Sequence, residues 1–220
     1  MNLFMSAKNI LFDFIFPKNA SVAALDRLTP GELVRLLPAA TDTKDESVVA
    51  IFDYKNEMVR EMIWELKYRG SRIVARTLSV VLMDVVKAEL AERALFENFQ
   101  GRILLIPMPV SKKRRNERGY NQIEILCEAL MKHDTEHLLA YLPNVLRKHK
   151  HTDSQTVAGR KAERLENIEH SMSVPDPLSV QGASIILIDD VTTTGATFRE
   201  ARRALREAGA KKILCIAVAH

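Results

Sequence analysis

Ile185-Ile186-Leu187-Ile188-Asp189-Asp190-Val191-Thr192-Thr193-Thr194-Gly195-Ala196-Thr197, continued by Phe198 to Gly209, is the stretch that decides the fold of this chain. Four apolar residues in a row, three of them β-branched, predict a short strand buried on both faces, as the central strands of a parallel sheet are. Two carboxylates stand at its carboxyl end, where open α/β sheets place their ligands. Threonines and one glycine follow and lead into a helix in which Phe198, Ala201, Leu205 and Ala208 share an apolar face. Arg199, Arg202, Arg203 and Arg206 make the opposite face basic, and Gly209 is placed to close the helix. A helix N-terminus entered through such a loop offers free N–H groups and the positive end of a dipole, which suits a phosphate. Acids fit to bind a diol, beside a cradle for phosphate, describe a site for a phosphorylated ribose.

Composition sets wide bounds around this stretch. At 220 residues, 47% hydrophobic and 27% charged, the chain is of the soluble globular class and long enough to bury a full core. A formal charge of +4 permits anionic ligands without demanding nucleic acid. Cys127 and Cys215 both lie in apolar surroundings and read as buried thiols, which fits a reducing cytoplasm. No apolar run reaches membrane-spanning length. In Ile10 to Phe16 the acidic Asp13 interrupts the hydrophobic run and Pro17 ends it, so a docking helix is expected there rather than a signal peptide.

The flanking chain alternates strands and helices. Residues 1–40 read as helix, turn, helix, with breaks at Pro17 and Pro30-Gly31. Val48 to Phe52 predicts a strand, and Asn56 caps a helix bearing Val59, Met62, Ile63 and Leu66 on one face. That helix ends in Lys67-Tyr68-Arg69-Gly70, which on spacing alone is a cationic C-terminal turn. Arg72 to Phe99 predicts a long helix with a break near Glu92-Arg93. Arg102 to Ile106 repeats the buried-strand pattern and ends in Pro107-Met108-Pro109-Val110, a sharp turn at the ligand edge. Ser111 to Gln122 carries five cations against one acid and reads as a basic loop before a helix with Ile123, Leu126, Cys127 and Leu130. A strand split by Pro143 is expected over Leu138 to Leu146, followed by a second basic segment, Arg147 to Gln155. His149 and His151 lack further ligands at useful spacing, so no metal site is expected there. Val157 to Asn167 reads as a charged helix, Ser171 to Val174 as a short edge-like strand, and Ile213 to Ala219 as the last strand. The sum is an α/β fold with a mostly parallel central sheet and helices on both faces. Residues 1–45 form a helical N-terminal segment in this division, and residues 46–220 the main domain.

The opening stretch resembles the phosphoribosyl-pyrophosphate binding motif of type I phosphoribosyltransferases: four hydrophobics, two acids, then Thr-Thr-Gly-x-Thr before a helix. No Gly-x-x-x-x-Gly-Lys-Ser/Thr loop competes with it. Nearly the whole chain resembles the ComF family, linked to bacterial DNA uptake, with its gluconate-uptake relatives. The matching pieces are Leu11 to Pro17, Leu66 to Gly70, Ile106 to Pro109 and, most tellingly, Arg118-Gly119-Tyr120-Asn121-Gln122. Arg147, Thr152, Gln155, Arg164 and Asn167 follow in order. Many ComF-like proteins carry a four-cysteine zinc module after a Phe-Pro pair. Here Phe16-Pro17 is followed by no such cysteines, which leaves the N-terminal segment a degenerate, zinc-free version.

The resemblance implies 5-phosphoribosyl 1-pyrophosphate as donor, Mg²⁺ as cofactor and transfer of the phosphoribosyl group to a nitrogenous acceptor in DNA uptake or nucleotide metabolism. It implies that Asp189 and Asp190 accept hydrogen bonds from the ribose hydroxyls. The loop Val191, Thr192, Thr193, Thr194, Gly195, Ala196 and Thr197 would hold the 5-phosphate. Pro107, Met108 and Pro109 would receive the pyrophosphate, with Arg114, Arg115 or Arg118 neutralising it and Lys67 as a further candidate. The metal would come with the substrate, bridged by water to Asp189 and Asp190, rather than occupy a protein-only site. The Lys112 to Gly119 loop reads as a lid. Two alternatives stand beside transfer: a non-catalytic sensor of a nucleotide or of the donor, and an accessory of natural transformation that meets single-stranded DNA or DNA-uptake proteins. Aromatics at 6% weigh against extensive base stacking. The expected location is the cytoplasm, with oligomeric state open, a homodimer included.

Overall fold

The computed structural model of the chain describes residues 29–41, 43, 45, 47–97, 103–149 and 170–220. Helix α1 (Pro30–Leu36) starts at a capping box: the Thr29 hydroxyl accepts from the Glu32 amide, and the Glu32 carboxylate accepts from the Thr29 amide at 2.7 Å. Strand β1 (Val48–Phe52) follows. Helix α2 (Glu57–Trp64), capped by the Asn56 side chain, runs on into one π-helical turn, Glu65–Arg69. Gly70 closes that turn in the left-handed conformation, φ +58°. Next come α3 (Arg72–Glu97), β2 (Ile103–Pro107), α4 (Lys112–Arg118), α5 (Gln122–Met131) and β3 (Leu139–Tyr141). A separate two-stranded antiparallel pair, β4 (Arg147–Lys148) with β5 (Met172–Ser173), sets Lys148 opposite Met172. The chain ends in β6 (Ser184–Val191), α6 (Ala196–Glu207) and β7 (Lys212–Ala219).

The main sheet has the order β1-β7-β6-β2-β3, and every neighbouring pair is parallel. β6 is therefore central, with Ile188 opposite Pro107 on one side and Ile216 on the other. From Ser184 to Ile188 it is buried throughout, as the apolar run predicts. One core cluster joins Ile186 and Ile188 of β6 to α2, α3 and α5, and the other joins Ile185 and Leu187 to Phe198, Ala201 and Leu205 of α6. Helices thus cover both faces. The chain leaves β2 through α5 toward β3, and leaves β6 through α6 toward β7, in opposite directions along the sheet. Between the carboxyl ends of β2 and β6 the connections part and leave a crevice, the switch point where such sheets bind ligands.

Several expectations change. The strand at the opening stretch continues to Val191, so both acids lie within it. Lys112–Arg118 is a helix rather than a loop, because Lys, Arg and Glu are good helix formers and the segment is capped at both ends. The Ser111 hydroxyl accepts from the Arg114 amide there, and Gly119 ends the helix at φ +83°. α3 has no break at Glu92-Arg93, since no glycine or proline interrupts Arg72 to Glu97. β3 stops at Tyr141, two residues before Pro143, which has no N–H to donate to a ladder. The basic face of α6 is not all solvated: Arg202 is buried and bonds to Asp45 and Ser47. Gly209 closes α6 as expected, with its amide on the Arg206 carbonyl and that of Ala210 on the Leu205 carbonyl, a Schellman pair. The expected helix over residues 1–28, the Phe16-Pro17 pair and the helix over Val157 to Asn167 lie outside the described residues. No helix among the described residues is long and apolar enough to cross a membrane.

Gly70 is the tightest point near the crevice. A Cβ there would lie 3.0 Å from the Tyr120 ring, and the left-handed backbone itself costs an L-residue about 1–2 kcal/mol. Gly70→Ala should lower the stability measured by urea unfolding by at least that amount, and an unchanged midpoint would show that the turn can yield to a Cβ.

Candidate functional site

Side chains alternate across a strand, so neighbours point to opposite faces. Asp190 continues the Ile186–Ile188 row and Asp189 the Ile185–Leu187 row. Asp190 is 4% exposed and is met by two elements on its face. The Lys67 ammonium from the π turn lies 3.0 Å from one carboxylate oxygen, and the Gln122 amide from the first turn of α5 donates to the other at 2.7 Å. Asp189 stands on the α6 side, where its carboxylate accepts from its own neighbour, the Asp190 amide, at 2.8 Å. Both acids line one cavity of about 200 Å³ in the crevice.

The loop after β6 divides in two. Thr192 is buried and its amide donates to the Ala219 carbonyl at 2.9 Å, so that amide belongs to the sheet and is spent. Thr193 and Thr194 are exposed, Gly195 takes a positive φ of 68° as the residue before α6, and Ala196 and Thr197 begin the helix. First-turn amides of a helix have no partner within it. The amide of Ala196 reaches the Thr194 hydroxyl at a long 3.4 Å, and Val191 and Thr197 line the cavity. The opposite wall comes from the turn after β2. Pro107 stays in the strand; Met108 and Pro109 line the cavity together with Val110 and Ser111. That turn is fixed from two sides, by the Met108 amide on the Ile188 carbonyl (2.8 Å) and by the Asn121 side chain on the Met108 carbonyl (3.1 Å).

The basic cluster is sorted by the structure. Of the three arginines named from sequence, Arg114 lines the cavity. Arg115 forms a two-point pair with Glu124 at 2.6 and 2.8 Å. Arg118 lies 5.1 Å over the Tyr68 ring and donates to Gln122 at 2.9 Å, so it braces the residue that holds Asp190. Sequence reasoning assigned no role to Gln122 or Lys148, both of which line the cavity. Gln122 had a signal, its place just after an Asn cap and within the Arg118 to Gln122 match. Lys148 had another, its place in the second basic segment, Arg147 to Gln155, whose residues from 150 on lie outside the described residues.

Burial, first, and the charge of Asp190, second, push the Asp189 carboxyl up to about 7; the Asp190 amide, Lys67 and Lys148 only partly offset them. Burial and then Arg114 hold the Lys148 ammonium below its usual range, against the pull of Asp189 and Glu200. A carboxyl raised in the folded state favours folding fully below its unfolded value, and that contribution is lost as pH rises through about 7. Asp189→Asn removes the dependence while keeping an acceptor for the Asp190 amide. The difference in Tm between Asp189→Asn and the parent should grow between pH 5 and pH 8 in favour of the variant, by about 2–4 °C per kcal/mol gained. A pH-independent difference in thermal scans would refute the assignment.

Comparison with known proteins finds homologues of this chain. Residues 139–220, which hold β6, its loop and α6, match the phosphoribosyl transferase domain. Competence protein ComFC of Bacillus subtilis is 31% identical over 160 residues, 73% of this chain and 58% of that protein. Competence protein F of Haemophilus influenzae is 27% identical over 168 residues, 75% of this chain and 69% of the relative. DNA utilization protein YhgH of Salmonella typhimurium is 27% identical over 179 residues, 76% and 69% of the two chains. The chain therefore spans from 58% to 69% of the length of these relatives. The resemblance seen in the motifs is borne out: the chain is a ComF homologue with a phosphoribosyltransferase-like fold.

Proposed function

We propose that this chain binds 5-phosphoribosyl 1-pyrophosphate with Mg²⁺ and transfers the phosphoribosyl group to a nitrogenous acceptor. The observation that carries this reading is the pair Asp189 and Asp190 at the carboxyl end of β6, in one cavity with Thr197 and the turn after β2. The 5-phosphate lies on the loop from Thr193 to Thr197, where amides and threonine hydroxyls converge on a helix N-terminus. Asp189 takes the ribose hydroxyls, and Asp190, fixed by Lys67 and Gln122, adds negative charge beneath the sugar. The C1–O bond to pyrophosphate breaks with its electron pair leaving on the pyrophosphate oxygen. The acceptor nitrogen supplies the pair for the new C1–N bond and releases its proton to solvent. Negative charge beside the ribose favours the cationic sugar that develops between the two events.

The donor set suits Mg²⁺ without enclosing it. Among the described residues no three His, Cys, Asp or Glu side chains gather in a group that could hold a metal. Two carboxylates leave most of an octahedral shell to waters and substrate phosphates, which is how this ion is usually held. When bound, it supplies charge neutralisation to the leaving pyrophosphate. The names of the relatives, a competence protein and a DNA utilization protein, support a role in DNA uptake.

One observation favours a DNA contact beside the cleft. Tyr68 is 50% exposed, with its ring 5.4 Å from Trp64 and Arg118 over it. An exposed ring among cations offers a base a stacking surface.

Calorimetry with the donor and Mg²⁺ should give binding that Asp190→Asn weakens at least tenfold, alongside pyrophosphate release across a panel of nitrogenous acceptors. Unchanged affinity in Asp190→Asn would remove the assignment; binding without turnover across the panel would favour a sensor. Tyr68→Ala should weaken a single-stranded oligonucleotide by about 1–3 kcal/mol in a fluorescence titration at fixed salt, and no effect would exclude this surface.

A further inference from the structure

Asp190 is held from two sides, and both supports lead back to one exposed aromatic ring. Lys67, whose ammonium lies 3.0 Å from one carboxylate oxygen, is the residue before Tyr68, and Tyr68 is half exposed. Gln122 donates to the other oxygen at 2.7 Å and accepts from Arg118 at 2.9 Å. The Arg118 guanidinium in turn lies 5.1 Å over the Tyr68 ring. These contacts close a ring that runs from Asp190 through Lys67, Tyr68, Arg118 and Gln122 back to Asp190. Gln122 and Asp190 are buried, so one arc of it lies in the cleft and the other reaches solvent.

Gln122 is the adaptor in this ring. A guanidinium only donates and a carboxylate only accepts, whereas an amide does one at each end. Arg118 on its oxygen and Asp190 on its nitrogen therefore fix the sense of the Gln122 amide, and each bond polarises the other. The backbone on either side is tied down. The Tyr120 hydroxyl donates to the Lys67 carbonyl at 3.3 Å, the Tyr120 ring closes over Gly70, and the Asn121 side chain accepts from the Ile123 amide at 3.0 Å. What remains to move is the half-buried Arg118 side chain. An unpaired base that stacks on Tyr68 competes with the guanidinium for the ring, and base–aromatic stacking is the stronger of the two contacts.

We propose that Arg118 is a positioning residue that links the two surfaces, so that single-stranded nucleic acid on Tyr68 and the ligand of Asp190 bind antagonistically. The link rests on the readings of the cleft as a phosphoribosyl site and of Tyr68 as a stacking surface, and adds the coupling between them. In one state Arg118 lies over Tyr68 and holds Gln122 on Asp190, which favours the donor. In the other the base takes the ring, Arg118 turns to the strand, and Gln122 loses the group that fixes its sense. Linkage is reciprocal, so the donor weakens the nucleic acid by the same factor by which the nucleic acid weakens the donor.

The test is calorimetry on the full chain at fixed salt, with the donor and Mg²⁺ titrated in the absence and presence of oligothymidylate. Saturating oligonucleotide should weaken the donor by about fivefold or more and then level off, and saturating donor should weaken the oligonucleotide equally. Arg118→Met should bring this factor to one. Gln122→Met breaks the same relay away from the oligonucleotide surface and should do so too. A factor retained in either folded variant overturns the link, and so does a weakening that keeps growing with oligonucleotide, which is competition for the cleft itself. Donor and oligonucleotide that each bind the parent with no mutual effect overturn the link and leave the phosphoribosyl reading standing. A parent that binds oligonucleotide but no donor sinks that reading and the link with it, and one that binds donor alone sinks the stacking surface and the link.

Discussion

Two neighbouring carboxylates at the end of a strand buried on both faces do not take the same side-chain partner in this fold. Alternation sends them to opposite sides of the sheet, and each must settle its charge with what that side provides. Asp190 takes Lys67 and Gln122, which come from the π turn and from α5, two elements more than 50 residues apart in sequence. Asp189 gets no cation in contact among the described residues and keeps its place with a raised affinity for a proton. Much of the surrounding structure follows from this division. The π turn must aim a lysine inward, Asn121 must start α5 so that Gln122 faces the strand end, and Gly70 must let Tyr120 close over the junction.

The same division explains how cations are used. Sequence presents them as runs, which invite a reading by total charge. In the folded chain several are matched to particular acids: Arg115 with Glu124, Arg202 with Asp45, Arg203 with Glu200 and Glu207. The exposed ones, such as Arg203 with Glu207, are worth little to stability. Among the described residues Arg114 and Lys148 line the cleft without an ion pair, so the local field there depends on the charges lining it rather than on the excess of +4 over the whole chain.

The parts of the fold legible in sequence were those governed by short-range periodicity. Ile185 to Ile188 could hardly be anything but a buried strand, and Phe198, Ala201 and Leu205 could hardly avoid one helix face. The alternation that separates Asp189 from Asp190 was also present in the letters, once the strand is extended to Val191. Other features depended on partners far along the chain. The charges of Lys112 to Arg118 suggested a solvated loop, while Ser111 and Gly119 capped a helix that Glu124 then helped to anchor. Nothing local marked Arg114 rather than Arg115 or Arg118 for the cleft, because that choice is made by helix phase and by where Tyr68 and Glu124 stand. The role of Gln122 was hidden for the same reason: its partner is 68 residues away.

The π turn at Glu65–Arg69 has a consequence for how this lineage tolerates changes in length. An α-helix advances about 100° per residue, and a π turn accommodates one residue more than an α turn does. Deleting a single residue there would restore ordinary helical phase and swing everything after it by about that angle. Lys67 would leave Asp190, and Tyr68 would leave its place beside Trp64 and under Arg118. The apolar face of α2 precedes the turn, so its packing against the core would survive the change. A one-residue gap at this position would therefore erase the charge balance at the strand end while leaving the apolar face of α2 in phase with the core.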